Sequence, residues 1–190
     1  MRIRKRMGAT QDSRPRAIGP RLGCITAAMT LLFSAGATAA DPPSEAAVKA
    51  AFVHNFAKFV EWPANSSAKN SITLCVAGTG PELATSLAGL AGKSVQGRNM
   101  AVKNNVNTAD LESCHVLFLG NDARPLAVQA RGRAGLLTVS DIPGFAQSGG
   151  MIGLFSEGDR IRFEINPRST EAAGLKLSSQ LMKLAKVVQE

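Results

Sequence analysis

Two short apolar runs constrain this chain most. Ser71-Ile72-Thr73-Leu74-Cys75-Val76-Ala77 and His115-Val116-Leu117-Phe118-Leu119-Gly120 are short and nearly continuously apolar. A strand of that kind has no face to give to water, so it belongs inside a sheet covered on both sides. The first run closes on Gly78-Thr79-Gly80-Pro81 and leads into a helical pattern through Leu83, Leu87 and Leu90 that ends at Gly92.

The same alternation continues. Met100–Lys103 reads as a weak strand, Thr108–Glu112 as a short helical turn, Pro125–Ala130 as a helix and Leu136–Val139 as a third buried strand. Strand and helix in strict alternation favour a parallel sheet between two helical layers. The pattern then shifts. Met151–Phe155 and Arg160–Ile165 flank Glu157-Gly158-Asp159 as a hairpin, and Arg162 and Glu164 alternate with Ile161, Phe163 and Ile165, giving one wet face. Before the first run, Val48, Phe52, Phe56, Phe59 and Val60 line one face of a helix predicted over Glu45–Trp62, capped by Ser44 and stopped by Pro63. After the hairpin, Asn166-Pro167 opens a last helix whose buried stripe is Leu177, Leu181, Leu184 and Val188. The expected fold is α/β: a mostly parallel sheet flanked by helices in three layers, with a late antiparallel hairpin and a C-terminal helix.

Residues 1–40 read differently. A basic stretch is followed by the apolar run Cys24–Phe33 and by small residues ending in Ala37-Thr38-Ala39. These are the three parts of a secretory signal peptide, with cleavage expected near Ala39. The apolar part is shorter and more diluted than the ~20 residues of a spanning helix. Cys24 follows Gly23 as a lipid-attachment cysteine would, but Arg21 stands where an apolar stretch should precede it. The expected organisation is therefore a signal peptide over 1–40 and a single domain over 41–190.

Charge now falls into place. Of 22 basic and 14 acidic residues, seven basic and one acidic lie in residues 1–40, so the net +8 of the whole chain falls to +2 for the remainder. Beyond residue 40 the only basic cluster is Arg131-Gly132-Arg133, there is no Tyr, and there is a single Trp. Neither an electrostatic stripe nor a stacking platform for nucleic acid is present in the sequence. Export also makes the cysteines interpretable. Cys75 and Cys114 are the two that remain after residue 40, and two cysteines in an oxidising compartment favour a disulfide. Two buried free thiols are the alternative; a metal site has no CxxC or HxxxH spacing behind it.

Motifs for catalysis fail on spacing. Gly78-Thr79-Gly80 sits where a dinucleotide fingerprint belongs, but the third glycine position holds Leu83. Gly78, Thr79 and Gly80 stay as a weak anion- or ligand-binding candidate at a helix start. Gly92-Lys93-Ser94 lacks the first glycine of a phosphate loop, since that position is Leu87, and no G-x-S-x-G accompanies His54 or His115. No catalytic residue, metal or cofactor is expected. A binding or regulatory role is what remains, and a periplasmic small-molecule or nucleotide binding module is one form of it.

Three separated blocks carry a family resemblance. Val48-Lys49-Ala50-Ala51-Phe52-Val53-His54-Asn55-Phe56-Ala57-Lys58-Phe59-Val60-Glu61-Trp62-Pro63 resembles the opening helix of YfiR-like periplasmic proteins. Gly149–Ile152 through Arg160–Asn166 resembles their late hairpin, and Ala173–Ala185 their ending; the spacing of Cys75 and Cys114 is also similar to a cysteine pair of the family. The resemblance spans nearly all of residues 45–188. It implies a periplasmic repressor that binds the periplasmic sensor domain of an inner-membrane diguanylate cyclase, lowering cyclic-di-GMP and biofilm formation. It further implies a homodimer, and sequestration by an OmpA-like outer-membrane lipoprotein. The family's namesake carries a second, late cysteine pair; this chain has no cysteine after Cys114, so redox control resting on that pair does not transfer. The partner-binding residues expected here are the wet strand face and its neighbours, Arg162, Glu164, Asn166 and Lys176, with Trp62 either an exposed aromatic anchor or a cap on the core.

Overall fold

A computed structural model describes residues 42–63 and 71–188. The expected signal peptide and Cys24 lie outside the described residues. Helix α1 spans Glu45–Phe59 and begins under the predicted cap, with Ser44 Oγ accepting a hydrogen bond from Ala47 N. It is followed by β1 (Val60–Glu61), β2 (Ser71–Ala77), α2 (Pro81–Ala88), β3 (Ser94–Val95), β4 (Arg98–Asn104) and β5 (Val116–Leu119). Then come α3 (Arg124–Ala130), β6 (Leu137–Ser140), β7 (Ile152–Glu157), β8 (Arg160–Ile165), α4 (Pro167–Ala172), β9 (Lys176–Leu177), α5 (Ser179–Leu184) and β10 (Lys186–Val187). Single 3-10 turns, Thr108–Ser113 and Asn121–Ala123, precede β5 and α3.

The main sheet runs β10-β8-β7-β6-β5-β2-β4-β3. Its centre is parallel: β2 lies between β4 and β5, β5 beside β6, and β6 beside β7. β7 and β8 form the antiparallel hairpin, and β3 folds back on β4. The sheet is covered on both faces, as the continuous apolar runs require. Ile72, Leu74, Val76, Val116, Phe118, Leu137 and Val139 pack with Val53 and Phe56 of α1 and Leu87 of α2. The alternate residues Cys75, Ala77, Leu117 and Leu119 pack with Leu126 and Ala130 of α3 and with Ile142 and Phe145. The expected mostly parallel sheet with flanking helices is thus the observed fold.

Two elements differ from expectation. α1 stops at Phe59, not Trp62, because Val60 and Glu61 leave the helix to pair antiparallel with Leu177 and Lys176 of β9. The expected C-terminal helix is broken in two. Gly174 takes φ +70, its N–H bonds to the Glu171 carbonyl, and Leu175 N bonds to the Thr170 carbonyl. That pair of bonds around a left-handed glycine is a Schellman stop, which ends α4 before the predicted stripe begins. Leu177 consequently sits in β9, and Leu184 is 75 % exposed at the end of α5. Among the described residues no helix is long and apolar enough to cross a membrane.

Candidate functional site

Cys75 in β2 and Cys114 just before β5 form a disulfide, with Cα atoms 5.8 Å apart. β2 and β5 are neighbours with Leu74 opposite Val116, which brings the two cysteines into reach. The bridge therefore staples the middle of the sheet. Beside it, His115 is buried, and its Nδ1 accepts a hydrogen bond from Thr73 N at 3.0 Å. With Nδ1 accepting, the ring proton sits on Nε2, which is buried without a partner. Burial, and secondarily the Arg98 charge, push the His115 pKa below the usual histidine range. His54 faces the Ser94 carbonyl from Nε2 at 3.1 Å, tying α1 to β3; burial is the main cause lowering its pKa. Both histidines serve the fold.

The Gly78-Thr79-Gly80 turn is occupied by protein. A Cβ on Gly120 would lie 2.0 Å from the Gly78 carbonyl oxygen, and one on Gly78 would lie 2.4 Å from Ala123 N. The turns after β2 and β5 therefore close on each other at the C-terminal ends of the parallel strands, where an open α/β sheet would hold a ligand. Gly80 alone faces open space.

The expected partner residues divide into two groups. Trp62 and Lys176 come together at the β1–β9 ribbon, where Lys176 pairs with Glu61. Trp62 is half-buried against the core, its Nε1 is buried without a partner, and the Arg98 guanidinium lies 5.8 Å from its ring centre. Gln96, which the sequence reading passed over, organises this corner. From a left-handed backbone, φ +51, its amide donates to the carbonyls of Lys58 at 3.0 Å and Val60 at 2.7 Å, and its Oε1 accepts from Arg98 Nη2. The exposed carbonyls at the end of α1 thereby find a donor from the β3–β4 turn. The signal in sequence is Gln96-Gly97 between two strands, a two-residue hairpin turn.

Arg162 and Glu164 lie on the other sheet face, since Ile161 and Phe163 turn toward α1. Arg162 is exposed and ion-paired with Glu157. Glu164 is not on a wet face. It is 6 % exposed, packs over Gly153, and accepts a hydrogen bond from Gln147 Nε2 at 3.0 Å. Asn166, 2 % exposed, is also structural: its Oδ1 caps α4 at Ser169 N and its Nδ2 donates to the Ala146 carbonyl. The expectation of one continuous polar patch is corrected accordingly. The segment around Ile142–Ser148, which lies between β6 and β7, covers the face that the alternation of β8 assigned to water.

Two surface clefts flank these groups. One of about 520 Å³ is lined by Pro167, Thr170, Glu171, Lys176, Leu177 and Met182. Another of about 580 Å³ opens between the start of α1 (Glu45, Val48, Phe52) and the hairpin tip (Asp159, Arg160, Ile161). Among the described residues no three His, Cys, Asp or Glu side chains are grouped to hold a metal.

Comparison with known proteins gives a family and a fold. A family model described as YfiR/HmsC-like matches residues 46–186. A crystal structure of a conserved domain protein from Vibrio cholerae O1 biovar eltor superposes with a TM-score of 0.50 at 14 % identity, covering 77 % of this chain. The chain spans 60 % of that protein's length, and the likeness is one of fold. No curated protein matches the chain.

Proposed function

The chain belongs to the YfiR/HmsC-like family, and from that premise we propose that it is a periplasmic regulator that binds and represses the periplasmic sensor domain of an inner-membrane diguanylate cyclase. The observation that carries this reading is the family match over residues 46–186, which takes in all but the end residues of the described sheet and the helices on it. Residues 1–40 act as the signal peptide, cleaved near Ala39, and residues 41–190 are the working domain. A domain released into an oxidising compartment is consistent with the Cys75–Cys114 bridge at its centre.

Repression needs no chemistry of its own. A regulator shifts the cyclase only through different affinities for its active and inactive states, so a rigid domain with a partner surface suffices. The chain works as a homodimer, and an OmpA-like lipoprotein relieves repression by competing for it. Trp62 and Lys176 at the β1–β9 ribbon, together with exposed Arg162, contact partners; Glu164 and Asn166 hold those surfaces in shape. Cyclic-di-GMP output and biofilm formation fall when the chain is engaged with the cyclase. The small-molecule alternative is the second reading; the close approach of the Gly78 and Gly120 turns weighs against it at the turn where it was expected.

The test is binding. Purified residues 41–190 are titrated by calorimetry against the periplasmic sensor domains of the inner-membrane cyclases of the same organism. Saturable heat with one of them is expected; no heat with any overturns the proposal.

A further inference from the structure

The hairpin outruns the sheet. β7 and β8 pair from Ile152 opposite Ile165 out to Glu157 opposite Arg160, but β10 pairs with β8 only at Glu164 and Ile165. Residues Arg160–Arg162 therefore have no strand beside them on that side among the described residues, and at Phe163 only the N–H is left over by the ladder with β10. β10 is a two-residue strand lying parallel to β8, so the edge is already a place where a short segment adds to the sheet. An unpaired edge of this kind is a template for another chain.

Its surroundings select the chain it would take. Arg160 and Arg162 of β8 and Lys186 of β10 are exposed at this edge; Arg162 is ion-paired with Glu157, and Asp159 is the acid left at the hairpin tip. Leu184 at 75 % and Val187 at 40 % exposure are two of the four exposed large apolar side chains of the described residues; Val187 is in β10 and Leu184 ends the helix that leads into it. The cleft of about 580 Å³ lies under the same strand, floored by Val48, Phe52 and Ile161. Ile161 and Phe163 turn toward α1, so alternate side chains of an added strand would turn toward that cleft.

We infer that the β8–β10 edge is a strand-addition site for an extended acidic segment of a partner protein, with apolar residues alternating with the acids. Main-chain bonds to Ile161 and to the Phe163 N–H supply the register, the cleft takes an apolar side chain, and the cations read the acids. A second copy of this chain is disfavoured as occupant, because two like edges would set Arg162 and Lys186 against cations. Naming a regulated partner as the donor of the strand rests on the function proposed above; the edge itself rests on geometry.

The test uses residues 41–190 and two ten-residue probe peptides alternating valine with glutamate or valine with lysine. The Glu/Val peptide should slow amide hydrogen exchange at Ile161 and Phe163, and an Arg160→Glu, Lys186→Glu double variant should bind it at least about tenfold more weakly. Equal binding of the Lys/Val peptide, protection confined elsewhere, or no protection at about 1 mM peptide would overturn the site. Sedimentation showing a dimer that the double variant strengthens or weakens would assign the edge to self-association instead and also overturn it. A chain that takes the Glu/Val peptide at this edge yet binds no cyclase sensor domain refutes the regulator reading alone. The converse result refutes the edge alone.

Discussion

Gly78 and Gly120 meet backbone to backbone, so closely that a Cβ on Gly120 would fall 2.0 Å from the Gly78 carbonyl oxygen. The contact joins the turns that follow the two central strands, β2 and β5. Neither turn can move without the other. Gly120→Ala should therefore cost about 3 kcal/mol or more, since the added atom meets backbone that cannot rotate away. Gly80→Ala, with nothing within 4 Å, should change stability little. Urea unfolding of the two variants checks the contrast, and equal midpoints would mean the turns are not in contact.

The Cys75–Cys114 bridge closes a separation of 39 residues. Replacing both cysteines by alanine should lower stability by about 4 kcal/mol in the chain-entropy account. Denaturant midpoints measure the loss. On gels the oxidised chain should run faster than the reduced one, and two thiols titrating in denaturant without reductant would remove the bridge.

Gln96 holds the end of α1. Gln96→Ala removes the donor for the Lys58 and Val60 carbonyls and keeps an unfavourable left-handed residue in the turn, so a loss of about 1–2 kcal/mol is expected. Gln96→Gly relieves the backbone but not the carbonyls, and should lose less. Tryptophan fluorescence gives a second readout, because Trp62 is the single tryptophan and Arg98 reaches it from the same corner. An unchanged spectrum in Gln96→Ala would separate the clamp from Trp62.

His115 and His54 both have folded pKa values below their unfolded ones. The unfolded chain then binds more protons in the window below the ordinary histidine value of about 6.5, so stability is full above it and falls as pH drops through it. His115→Asn, which leaves an acceptor near Thr73 N, should flatten that fall. Midpoints measured from neutral to mildly acidic pH test the sign, and stability rising on acidification would reverse the assignment of His115 as a buried neutral ring.

Much of the fold was legible because β2 and β5 are nearly continuous apolar runs, and such runs have one home. What was misread followed from trusting period alone. Leu177, Leu181 and Leu184 keep helical spacing across a chain that Gly174 has already turned, so the stripe looked unbroken while its backbone was not. Glu164 shows the complementary error. Alternation along β8 correctly places it opposite Phe163, yet a charged face is wet only if nothing covers it, and Ile142–Ser148 folds over it. The Gln96 clamp was hidden for another reason: the Lys58 and Val60 carbonyls at a helix end become a site only once a distant hairpin arrives. The disulfide was legible only after export was inferred from residues outside the domain.

The central claim is that an exported regulator lowers cyclic-di-GMP, and cellular cyclic-di-GMP measured by mass spectrometry in deletion and complemented strains tests it most directly. Deletion should raise the level, the full chain should restore it, and a chain lacking residues 1–40 should not. An unchanged level on deletion under biofilm conditions, or full restoration by the chain that cannot be exported, would contradict the account.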